Sequence, residues 1–162
     1  MTNPPDPPPG DDKQRQLRIA ARALANAGLV HAYGHCSLRL GTESCLVNAP
    51  RPLGLLAPGE SGDVVRIDRP LSDGILGEVR MHQAIYSARP DVHAICRVTP
   101  ATVTTLSTMG ITPRARHGFG SYFAPQPPLW PSTGLVRDAE TAAHVAAALG
   151  ETAPAIVLRG NG

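Results

Sequence analysis

The order of apolar patterns in this 162-residue chain predicts a layered α/β domain. Short runs of β-branched and apolar residues, each bounded by glycine, proline or aspartate, have the form of strands. They are interspersed with longer segments whose apolar residues recur at helical spacing. The length fits one domain, since a chain of this size buries roughly two-thirds of its unfolded surface.

Residues 1–10, MTNPPDPPPG, hold five prolines. With almost no apolar side chain to bury, this stretch is expected as an extended, disordered tail ahead of a single domain over 11–162. A first helix is expected over 12–27, where Leu17, Ala20, Ala21 and Leu24 form a stripe and Gly28 can end it. Strands follow at 44–48 (SCLVN) and 63–67 (DVVRI). A helix over 76–88 then turns Met81, Ala84, Ile85 and Ala88 to one side. The order closes with a strand at 93–97 (HAICR), a helix over 101–109, a helix over 138–149 and a strand at 155–159 (AIVLR). The proline- and glycine-rich stretch 113–131 is expected as an ordered loop with little regular structure.

Composition removes several classes of function. Of the 15 basic residues, fourteen are arginine and one is lysine, Lys13, in a polar segment near the N-terminus. Schiff-base chemistry needs a desolvated lysine amine and a Walker loop needs one beside phosphates, so neither is expected. A net charge of +2, dispersed arginines and six aromatic residues offer no surface for nucleic acid. Cys36, Cys45 and Cys96 form no disulfide or zinc-knuckle spacing and are expected as free thiols in a reducing cytoplasm. No apolar run reaches membrane-spanning length and no signal-peptide pattern is present, so a cytoplasmic protein without a membrane partner is expected.

Four segments hold side chains that could carry chemistry. In GEVRMHQAIYSARPD, Glu78 falls on the edge of the apolar stripe, with His82 at i+4 on the same side. A carboxylate there must be paired, metal-bound or facing a pocket; a structural Glu–His pair and a functional acid/base are equally open. In AYGHCSLRL, Gly34 permits a tight turn, and His35, Ser37 and Arg39 alternate onto one strand face. That set could hold an anion, Arg39 offering a bidentate fork, or could be a solvated hairpin entry. His117 sits beside flexible glycines, as surface histidines do. The final RGNG has the form of a tight turn.

Taken together, the GHCSLR segment, the helix MHQAIYSARPDVHAI, HAICRVTP after it and the closing LVRD…VAAALG…IVLRGNG resemble the class II aldolase/adducin family from about Gln16 to Gly162. The resemblance implies a three-layer α/β/α sandwich around a mostly antiparallel sheet, in a chain shorter at its C-terminus than the family pattern. It also implies a homotetramer and a small-molecule substrate. Active members use a divalent metal, usually zinc, to polarise a carbonyl during aldol cleavage, epimerisation or decarboxylation of hydroxy-carbonyl compounds, many of them sugar phosphates; a Lewis acid takes the place of a Schiff-base lysine.

Carried over position by position, Glu78 matches the catalytic acid/base. Gly34, His35 and Ser37 match the loop that receives the substrate's phosphate or carboxylate, with Arg39 beside them. His35 stands where asparagine is usual, a variant of the decarboxylase-like and oxygenase-like branch. The metal-ligand positions are occupied by Arg97, Thr99 and Asn161 in place of histidines. Arginine has no lone pair to give, and Thr99 and Asn161 are weak neutral donors. Glu78, His82 and His117 are the remaining side chains that could rescue a metal. Arg97 can instead pair with Glu78 and fill the vacated site, or hold a substrate carboxylate or enolate with Glu78 as base. The expected function is lyase-like with a degraded metal site; the alternative is a non-catalytic scaffold, as in the adducin head, or a small-anion binding module.

Overall fold

In the computed structural model, which describes residues 10–124 and 126–162, the chain enters through α1 (Asp11–Asn26). The tail expected over 1–10 lies, apart from Gly10, outside the described residues. Asp11 and Asp12 place negative charge at the helix's positive end. The far end closes as a Schellman motif: Gly28 at φ +68° donates to the Ala25 carbonyl and Leu29 to the Leu24 carbonyl, both at 3.0 Å.

Four strands follow in the order expected for an antiparallel sheet. They are β1 (His35–Arg39), β2 (Ser44–Val47), β3 (Asp63–Arg66) and β4 (Ala94–Arg97), arranged β3-β2-β1-β4 with every pairing antiparallel. Alternation sends Cys36 and Leu46 to one face, where they pack with Leu17 and Ala21 of α1 and with Leu53 and Leu56. Cys45, Val47 and Val65 go to the other face, against Val79 and Tyr86 of α2 (Val79–Ala88).

Behind α2 lies α4 (Ala139–Leu149), started by Asp138, whose carboxylate caps the Thr141 N–H at 2.7 Å. Met81 and Ile85 of α2 interlock there with Ala142, Val145, Ala146 and Leu149. Helix, sheet and helix pair make three layers, with the antiparallel sheet in the middle.

The later part of the chain departs from expectation in two places. The stretch 113–131 contains a 3-10 turn (Gly118–Phe123) and a short strand, β5 (Leu129–Trp130). That strand pairs in parallel with β6 (Val157–Leu158), which is shorter than the 155–159 expected. Leu129 and Trp130 sit among prolines, so no periodicity marks them. α3 (Ala101–Thr108) connects the two sheets. Among the described residues, no helix is long and apolar enough to cross a membrane.

Candidate functional site

The α2-facing side of β1 carries His35, Ser37 and Arg39, as the alternation requires. His82 rises from α2 to meet the first two. Its Nε2 lies 2.8 Å from His35 Nδ1, and its Nδ1 lies 2.7 Å from Ser37 Oγ. Ser37 Oγ is in turn 2.8 Å from the Tyr86 hydroxyl. All four side chains are buried.

Run from Tyr86 to Ser37, from Ser37 to His82 Nδ1 and from His82 Nε2–H to His35 Nδ1, the hydrogen-bond chain leaves its one unpaired hydrogen on His35 rather than on the more deeply buried Tyr86. His35 then carries its proton on Nε2. Burial, seconded by the Arg97 charge, lowers the His35 pKa to about 4, with Glu78 pulling the other way. Burial also holds His82 well below the usual histidine range, so both rings are neutral.

A small cleft opens beside this network, about 20 Å³ in volume and lined by Glu78, Met81, Arg97, Val136, Leu158 and Asn161 among others. Glu78 stands immediately before the first residue of α2. Its Oε1 accepts from Arg137 Nη2 at 2.9 Å and from Arg137 Nε at 3.0 Å. Gly77 makes room for this, since a Cβ there would sit 3.2 Å from Arg137 Cγ. Partial burial works to raise the Glu78 pKa, but the backbone N–H of Glu78 and the Arg137 guanidinium outweigh it and hold the carboxyl below the usual range.

Arg97, at the end of β4, is half-buried and donates to the Val98 carbonyl. Burial pushes its pKa down against the pull of Glu78. No carboxylate among the described residues lies within ion-pair distance of it. Asn161 reaches the cleft from the closing turn, its Nδ2 donating to the Thr133 and Arg159 carbonyls at 3.1 and 3.2 Å. Thr99 lies beyond the end of β4, its N–H on the Leu29 carbonyl at 2.9 Å, and is not part of the cleft wall.

Several expected groupings are rearranged. Glu78 and His82 do not pair along the helix: the ionised Glu78 turns outward to Arg137, and the neutral His82 turns inward to the sheet. The ion pair drawn between Glu78 and Arg97 is made by Arg137 instead. Arg39 does not join an anion site. Its guanidinium donates to the carbonyls of Val92, Tyr86 and Arg89 at 2.8, 2.6 and 3.1 Å, and its carbon stacks 4.6 Å from the Tyr86 ring centroid. It ties the turn after α2 to β1. Ser37 likewise has its hydroxyl engaged on both sides.

Gly34 has a steric reason to be glycine. A Cβ would meet Val30 Cγ1 at 2.7 Å and the Arg97 carbonyl oxygen at 3.0 Å. His117 is exposed, with its ring edge-on to Phe119, and does not line the cleft. Sequence reasoning missed Arg137 and Tyr86. The signal for Arg137 was its place directly before the Asp138 cap; Tyr86 was one turn on from His82.

These residues do not fit a zinc centre. Arg97 is a fixed cation with no lone pair, both ring nitrogens of His82 are engaged, and His117 is elsewhere. Among the described residues, no three His, Cys, Asp or Glu side chains gather into a metal-binding group.

The sequence pattern of the class II aldolase and adducin N-terminal domain matches residues 15–162. The chain belongs to this family. It is 32% identical over 168 residues to a 3,4-dihydroxyphthalate decarboxylase of Arthrobacter keyseri, covering 90% of this chain and 65% of that relative. The chain thus spans just under two-thirds of the curated relative it matches. Solved structures that share the fold include two aldolases. The L-fuculose-1-phosphate aldolase of Thermus thermophilus superposes with a TM-score of 0.79 at 23% identity, over 92% of this chain and 75% of that one. The L-fuculose 1-phosphate aldolase of Glaciozyma antarctica superposes with 0.74 at 24% identity, over 96% and 66%.

Proposed function

We propose that the chain carries the acid/base half of a lyase that cleaves a carbon–carbon bond in a small hydroxylated carboxylate, with Arg97 in place of a metal. One observation carries this reading: a desolvated guanidinium without a carboxylate partner opens on the same cleft as an ionised Glu78. Arg97 is half-buried and the nearest carboxylate, Glu78, is engaged by Arg137, so an anionic substrate supplies the close partner that Arg97 lacks. A cleft of this volume admits one carboxylate oxygen or one water, so the rest of the substrate lies across its mouth.

The chemistry follows from the charge states. The Glu78 carboxylate accepts a proton from a substrate hydroxyl. For an aldol, the carbon–carbon bond then breaks, its electron pair forms an enolate held by Arg97, and Glu78 returns the proton to carbon. For a hydroxylated aromatic acid, Glu78 passes the hydroxyl proton to the ring carbon that bears the carboxylate. Carbon dioxide then leaves and the bonding pair restores the ring. His35 Nε2–H, fixed by the network behind it, supplies a neutral donor to a substrate oxygen. The similarity to a decarboxylase at 32% identity supports the second course over the first.

The test is a substrate panel. Carbon dioxide release from 3,4-dihydroxyphthalate and related ortho-hydroxy aromatic acids is measured beside aldehyde release from L-fuculose 1-phosphate. Release from the carboxylates, lost in Glu78→Gln, is the expected result. Turnover of the phosphate alone would overturn the carboxylate reading.

A second reading is favoured by the Glu78–Arg137 ion pair, which already satisfies the carboxylate: a cytoplasmic, homo-oligomeric scaffold without catalysis. It predicts no turnover on the panel and an oligomer, seen by light scattering, that survives loss of Glu78 and Arg97.

A further inference from the structure

Cys36 and Cys96 face each other across β1 and β4 in the sheet register. The kind of pairing is set by where Cys36 spends its backbone groups. Its N–H donates to Asn48 Oδ1 at 2.6 Å and its carbonyl accepts from the Asn48 N–H at 3.2 Å. Both therefore point toward β2, so the Cys36–Cys96 pair is a non-hydrogen-bonded one. The next bond in the same ladder agrees: Arg39 donates to the His93 carbonyl at 2.8 Å, three register steps away.

In such pairs the Cα atoms are about 4.5 Å apart and the side chains stand on the same face at their closest. A disulfide needs Cα atoms about 4.4–6.8 Å apart. We propose that Cys36 and Cys96 form a reversible dithiol–disulfide site, closed by a peroxide, that clamps β1 to β4 one step from the register pair His35–Arg97.

The two thiols differ as an attacking and a resolving group should. Cys96 is exposed and Cys36 is buried. The neighbouring Cys36 thiol holds the Cys96 thiol down to about 7. That same contact and burial push Cys36 up. Cys45 lies on the opposite face, pushed up to about 12 by burial, and serves as an internal control.

The Cys96 thiolate attacks a peroxide oxygen, the O–O bond breaks, and a sulfenic acid forms as hydroxide leaves. Cys36 sulfur then attacks the Cys96 sulfur. The S–S bond forms, the S–O bond breaks, and that oxygen departs as water with the Cys36 proton. The thiols are oxidised and the peroxide is reduced to water. This chemistry does not depend on the lyase reading.

The experiment treats the purified full chain with a few equivalents of hydrogen peroxide and counts thiols after denaturation. The count is expected to fall from three to one, with the mass of the monomer down by about 2 Da and full recovery on adding dithiothreitol. Cys96→Ser, a change at an exposed position, is expected to keep both remaining thiols under the same treatment. A disulfide-linked dimer through Cys96 would overturn the proposal. So would stable oxygen adducts on Cys96 with Cys36 still free.

Discussion

The enclosed network behind and the cleft in front of it meet at the start of α2, where Glu78 lines the cleft and His82, one turn on, joins the network. Behind, four neutral groups from β1 and α2 are enclosed, and each polar atom between them has a partner. In front, every important group is charged and partly wet: Glu78 shares a carboxylate oxygen with Arg137, and Arg97 has only a carbonyl. The difference separates two jobs. A satisfied neutral network fixes geometry, and its loss is felt as stability. A half-solvated charge without a full complement of partners is free to meet a ligand, and its loss is felt as turnover.

The largest effect that can break this contrast is at Glu78. Glu78→Gln removes the proton acceptor and is expected to lower turnover about a hundred- to ten-thousand-fold, while the urea unfolding midpoint barely moves. Unchanged turnover would take Glu78 out of the mechanism. A collapse in stability would place it in the scaffold with His82.

Next comes the pH dependence of folding. His35 falls from 6.5 to about 4 and His82 moves the same way, so the unfolded chain binds the extra protons. Their contribution is complete above about 6.5 and is lost as pH drops toward about 4; for His35 it amounts to roughly 3 kcal/mol. Urea midpoints measured across that window are expected to fall steadily. They should do so before the ion-paired Asp68 and Asp91 and the helix-capping Asp138, all held below their usual range, begin to protonate. A flat profile would mean the two rings are not enclosed as a neutral pair.

Ser37→Ala comes third. It leaves the His82 Nδ1 and the Tyr86 hydroxyl without each other's bridge, at a cost of about 1–3 kcal/mol in denaturant unfolding. The smallest effect belongs to Arg137→Ala. The pair is well exposed on the arginine side, so stability changes by less than about 1 kcal/mol. The Glu78 carboxyl should titrate higher, moving the acid limb of the pH–rate profile upward.

The fold was largely legible because its cores follow simple periods. The stripes of α1 and α4 and the bounded runs at β2, β3 and β4 announce themselves. β5 and the 3-10 turn do not, since their residues sit between prolines and pair only with distant segments. The site was legible by residue and not by partnership. Glu78, Arg97 and Asn161 could be picked out, but helical spacing alone suggested that Glu78 faces His82. The choice was made by tertiary structure: β1 offers His82 two neutral partners, and the segment before α4 offers Glu78 a guanidinium. Arg39 misled for the same reason, since its donors fill the carbonyls of a turn that no local pattern reveals.

The Arg97 guanidinium is proposed to serve in place of the divalent metal that the family resemblance implies. Elemental analysis of the purified active protein, with turnover measured before and after a strong chelator, addresses that role most directly. Zinc far below stoichiometry, turnover unchanged by the chelator, and turnover lost in Arg97→Met are the expected results. A stoichiometric zinc whose removal abolishes turnover would contradict it.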